Sequence, residues 1–107
     1  MRLIACAAVA LLVTITSASA EPEGTKFILA FKYCTEDYAT KLARSGEPVE
    51  TIVTAAFAFC ASIESDLRRF LLGTIRNVDA VDRVINENRQ KAREHLTLLI
   101  LTIRQGR

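Results

Sequence analysis

The sequence predicts an all-α fold: a three-helix antiparallel bundle stapled by one disulfide, behind a cleaved export signal. Three observations predict it. Beyond residue 26, apolar residues recur at spacings of three and four, the period of a helix with one buried face. Two cysteines, Cys34 and Cys60, stand on such faces on either side of a Ser-Gly-Glu-Pro turn. The first twenty residues differ in composition from everything that follows.

That opening segment reads MRLIACAAVALLVTITSASA. Arg2 supplies a short positive start, Leu3 to Val13 an apolar run of eleven residues, and Ala18-Ser19-Ala20 a small-residue cleavage site. Cleavage is expected between Ala20 and Glu21. A membrane anchor would need ~20 apolar residues, more than this run offers. Cys6, in Leu3 to Cys6, superficially matches a lipoprotein processing site. It comes too early, because the apolar run continues to Val13, and it reads as one more small residue of the signal. The Ala-rich segment and its Ala-x-Ala end point to a bacterial periplasmic or secreted protein.

Residues 21–107 then form a single helical domain of 87 residues, with helices expected at about 26–44, 48–72 and 77–104. Without Arg2 the domain has 13 basic and 12 acidic residues. A balance so close to neutral gives no electrostatic reason to expect nucleic acid. The charge is uneven, since residues 76–107 carry seven basic and four acidic groups. A domain this small has a thin core and benefits from a covalent staple.

The first helix places Phe27, Phe31, Cys34, Tyr38 and Leu42 on one face. Gly46 suits its C-terminal cap, and Pro48 suits the start of the next helix. The second helix places Val49, Ile52, Val53, Ala56, Cys60, Ile63, Leu67, Phe70 and Leu71 on one face, and Gly73 is expected to end it. Folded back at Gly46-Glu47, the two cysteines lie ~18 and ~20 Å from the turn at ~1.5 Å per residue, so they come level. In an oxidising compartment an even pair reads as a disulfide. A redox dithiol is the alternative, but such pairs sit close in sequence at a helix N-terminus, and these stand in mid-helix among apolar neighbours.

The third helix opens at Asn77, a good N-cap, with Asp79 and Asp82 in its first turns. Val78, Val81, Ile85, Ala92, Leu96, Leu99 and Ile103 form its stripe, which Asn88 interrupts. Its polar middle, Asn86 to His95, reads as a mostly solvated face. Residues 96–103, LTLLILTI, are apolar almost all round. Alone they would suit a strand, but the helical lead-in favours continuation. A helix apolar on every side needs cover on several sides. Two readings stand: simple core, or a surface for self-association or a protein partner. The candidate surface comprises Leu98, Ile100, Leu101 and Arg104, with Arg93 and Arg104 near its rim.

No metal, phosphate-loop, nucleophile or dinucleotide motif occurs, and no cofactor is expected. His95 is the one histidine. The neighbouring carboxylates Glu36 and Asp37, and likewise Glu64 and Asp66, are too close in sequence to share a helix face as an acid–base pair. The expected function is therefore that of an exported, non-enzymatic interaction protein, paired with an unknown protein or with itself, without nucleic acid and without a membrane-spanning segment after cleavage. A periplasmic stress chaperone, or a membrane-surface protein using the apolar end of the third helix, is the alternative; an enzyme comes third. Tyr33-Cys34, Ser45-Gly46-Glu47-Pro48 and the run Ala55 to Cys60 carry a resemblance to small exported helical proteins of bacteria whose function is unknown. It covers roughly residues 30–62 and implies no activity. Acid-stress chaperones and toxin-immunity proteins share the class without sharing a motif.

Overall fold

In the computed structural model residues 24–106 are described, and every regular element among them is an α-helix. The order is α1 (Gly24–Leu42), α2 (Val49–Phe59), α3 (Ala61–Ile75) and α4 (Val78–Gly106). Among the described residues the bundle thus has four helices where three were expected. The expected second helix is divided at Cys60, which sits at φ −100°, ψ 15° between α2 and α3.

The reason for the break lies in what this stretch must touch. Phe57 packs on Phe31 with ring centroids 5.7 Å apart, and Phe59 packs on Tyr38 at 5.0 Å. Cys60 is bonded to Cys34. Phe31, Cys34 and Tyr38 lie on one face of α1. On a continuous helix, residues 57 and 59 would point about 200° apart, at ~100° per residue. Three ties to one partner within four residues therefore strain a regular helix. The chain departs from it for one residue, with the Cys60 N–H still donating to the Ala56 carbonyl at 3.0 Å and the Ile63 N–H donating to the Cys60 carbonyl at 3.1 Å. Two phenylalanines and a cysteine are also weak helix formers, which lowers the cost of the break.

The division matches two core clusters. Ala39, Ala43, Ile52, Val53, Ala56, Leu96 and Ile100 join α1, α2 and the C-terminal half of α4. Leu67, Val81 and Ile85, with Phe27, Leu71 and Leu72 against them, join α3 to the N-terminal half of α4 and the start of α1. α2 and α3 each serve one cluster. On α1 the fully buried row is Phe31, Thr35 and Ala39, turned slightly from the expected stripe, because this helix lies between α4 on one side and α2 and α3 on the other. The small side chains of Ala39 and Ala43 let α4 approach closely.

The helix ends also differ from expectation. Gly73 lies inside α3, which continues to Ile75 and is closed by Arg76 in the left-handed region, φ 59°, its N–H bonded to the Leu72 carbonyl. Asn77 caps α4 through its side-chain oxygen, which accepts from the Ala80 N–H at 3.0 Å. Val78, expected in the apolar stripe, is 57% exposed in the first turn, ahead of the region that α3 covers. Between α1 and α2, Gly46 takes φ 89°, a conformation open to glycine at little cost.

Candidate functional site

Three candidate functional features all involve α4: its outer face, its charged seam and its groove against α1. The disulfide holds the frame on which they rest. Cys34 and Cys60 are joined with Sγ atoms 2.09 Å and Cα atoms 6.1 Å apart, and Cys60 is fully buried. The expected cleavage site, Ala18, Ala20 and Glu21, lies outside the described residues.

Residues 96–103 are helical throughout. Leu96 and Ile100 are fully buried, and Leu99 and Ile103 pack against the same core. Ile100, expected at an interaction surface, is therefore core: it falls four residues after Leu96 on the face that meets α1 and α2. Leu98 is 66% and Leu101 41% exposed, both on the opposite face. Arg104 has a different engagement. Its Nε donates to the Ala43 carbonyl at 2.6 Å and its NH2 group to the Glu47 carbonyl. The end of α1 leaves carbonyls without helical partners, and Arg104 satisfies one of them while holding the following loop closed.

The polar middle of α4, expected to be a mostly solvated face, is largely exposed, and together with Asp82 it also carries ion pairs to every other helix. Asp82 meets Arg68 of α3 at 2.6 Å. Arg89 grips Glu64 of α3 with two hydrogen bonds, at 2.7 and 2.6 Å. Those bonds raise the Arg89 pKa, with partial burial opposing. Arg93 bonds Glu50 of α2 at 2.5 Å and lies 5.1 Å above the ring of Phe57. His95 contacts Glu36 of α1, which also accepts from Lys32 at 2.6 Å. The hydrogen bond from Lys32 holds the Glu36 carboxyl below the usual carboxylate range; burial opposes it and His95 assists it. Exposed pairs contribute ~0–1 kcal/mol each. The seat of α4 is set by its buried Val81, Ile85, Leu96 and Ile100, and the spread of partners over α1, α2 and α3 adds to its register.

Beside Glu36 a groove of about 220 Å³ opens between α1 and α4. Its walls come from Ile28, Phe31, Thr35, Ala92 and Leu96, and its rim from Lys32, Asn88, Lys91 and His95. The residue pattern along the chain does not reveal it. Its only signal was Asn88, a polar residue inside the stripe, which is half-buried at the groove's edge. The arrangement offers an apolar floor under a mainly basic rim, suited to binding. Among the described residues no three His, Cys, Asp or Glu side chains gather to hold a metal ion, and no helix is long and apolar enough to cross a membrane. No family model, curated protein or solved structure matches the chain.

Proposed function

We propose that this chain is a small exported interaction module, not an enzyme, which pairs weakly with a second copy of itself through the outer face of α4. The observation that carries this reading is the adjacency of Leu98 and Leu101, 66% and 41% exposed, one turn apart on a helix otherwise held firmly on its other sides. Contiguous exposed apolar side chains on a folded domain favour association. An antiparallel pairing centred between the two leucines would set Glu94 of one copy opposite Gln105 of the other, with no like charges in apposition. Burying a fully exposed leucine contributes ~1.5–3 kcal/mol; at 66% and 41% exposure the four leucines of a pair amount to about two such burials, against ~4–15 kcal/mol for forming a complex, so they support a weak dimer only. Export is supported by the layout of residues 1–20 and by a disulfide that suits an oxidising compartment.

Two measurements test this. Sequencing of the exported protein should begin at Glu21. Sedimentation of the wild type should show a concentration-dependent dimer that Leu98→Glu/Leu101→Glu abolishes while its melting temperature stays within a few degrees. A wild type that stays monomeric at every concentration refutes the pairing. Suppression of client aggregation by such a monomer would favour the chaperone alternative.

A further inference from the structure

The groove between α1 and α4 is separate from the Leu98 and Leu101 face and combines three properties. Its accessible apolar surface is Ile28 and Ala92, laid over the fully buried Phe31 and Leu96. The hydroxyl at the floor, Thr35, already donates to the backbone, with the Phe31 carbonyl at 2.9 Å and the Lys32 carbonyl at 3.1 Å. The floor therefore has little to offer a polar tail. Its rim is different. Lys32 and His95 converge on the one carboxylate of Glu36, whereas Lys91 and the Asn88 side chain have no partner among the described residues. Asn88 and Lys91 are one turn apart on α4, so an unpaired ammonium and an unpaired amide stand together at the mouth of an apolar cleft.

An apolar cleft with unpaired donors at one end is complementary to a molecule with an apolar tail and an anionic head. The volume of about 220 Å³ equals that of roughly seven waters at ~30 Å³ each. It falls below the ~300 Å³ at which pockets for larger ligands begin. We infer that the α1–α4 groove binds a single-chain carboxylate of medium length, its tail against Ile28 and Ala92 and its carboxylate at Lys91 and Asn88. Lys91 provides the ionic contact and the Asn88 amide an oriented hydrogen bond. Glu36 keeps Lys32 and His95 directed away from the head group, which gives the site one preferred end.

The test is titration calorimetry of the protein with sodium octanoate, sodium hexanoate and 1-octanol at low salt. Octanoate should bind one to one. Hexanoate should bind roughly 15-fold more weakly, about fourfold per methylene. The uncharged octanol should bind at least fivefold more weakly than octanoate. Lys91→Ala should reduce octanoate to the level of octanol and leave octanol unchanged. Ala92→Phe, which fills the cleft, should remove both. Leu98→Glu/Leu101→Glu should change neither, so failure of self-association and failure of this site are told apart. The inference is overturned by absence of saturable octanoate binding, by equal affinity for octanoate and octanol, or by octanoate binding that is indifferent to Lys91→Ala. Because Lys91 is exposed, that variant tests the site even where Ala92→Phe does not fold.

Discussion

Opening the Cys34–Cys60 bond should cost this domain much of its stability. The bond closes a loop with a sequence separation of 26 residues. For such a loop the chain-entropy relation gives ~3.5 kcal/mol of constraint on the unfolded state. Domains of this size have stabilities near the low end of ~5–15 kcal/mol, so the loss is a large fraction. At ~2.1 cal/mol/K of unfolding entropy per residue, 83 described residues give a shift of about 20 °C in melting temperature.

The cleanest perturbation is Cys34→Ala/Cys60→Ala, compared with the oxidised wild type by thermal circular dichroism. Alanine suits α1 at residue 34 and the break between α2 and α3 at residue 60, and neither places an unpaired hydroxyl in the core. Cys60→Ser alone should be worse by ~1–2 kcal/mol, because Cys60 is 1% exposed and a serine hydroxyl there would be buried. Addition of a reductant to the wild type should reproduce the double-alanine result. The reasoning is refuted if the double variant melts within about 4 °C of the oxidised protein, since that corresponds to under ~1 kcal/mol.

Three further outcomes are expected. Arg104→Ala should destabilise by ~1–2 kcal/mol and, by hydrogen exchange, raise opening of residues 43–48 first, because it frees the Ala43 and Glu47 carbonyls. Gly46→Ala should cost ~1 kcal/mol through its φ of 89°, although no atom lies within 4 Å of the added carbon. Glu36 has a carboxyl depressed in the folded state, so its contribution is present above the unfolded pKa and is lost as pH falls through the lower folded value. Glu36→Gln should accordingly flatten the loss of stability on acidification through the carboxylate range, as read by denaturant titration at several pH values.

The parts of this fold visible in the sequence are those controlled by one helix at a time. The stripe Val49, Ile52, Val53, Ala56, Cys60, Ile63, Leu67 faces the core because helical period alone decides which residues share a side. The level placement of Cys34 and Cys60 needed only the rise per residue and the position of the turn. The break at Cys60 was hidden for the opposite reason. No glycine or proline punctuates it, and the apolar period runs through it without a step. It arises because Phe57, Phe59 and Cys60 all engage α1, a demand that appears only when two helices are set side by side. Gly73 misled in the same way: an exposed glycine weakens a helix by ~1 kcal/mol, and the packing of Leu71 and Leu72 outweighs that.

The same distinction explains the site. Helical period separates Leu98 and Leu101 from Leu96 and Ile100, but the apolar run around Ile100 hides in the sequence which side of it meets the core. The charges of α4 could not be assigned this way at all. Arg89, Arg93 and His95 occupy positions that would be solvated on an isolated helix, and their partners Glu64, Glu50 and Glu36 lie 25, 43 and 59 residues away. Each pair forms because two helix surfaces meet in one register. The groove follows from that register too. With α4 seated by its buried core residues and registered by ion pairs to α1, α2 and α3, its contact with α1 runs from Asn88 to Leu96 against Ile28 to Thr35, where the small Ala92 leaves volume that a larger residue would fill. A substitution at Glu64 or Glu50 that shifts α4 would therefore alter the groove without touching it. The charged seam thus bears on the α1–α4 cleft through the register of α4, whereas the exposed leucines, on the opposite face, do not.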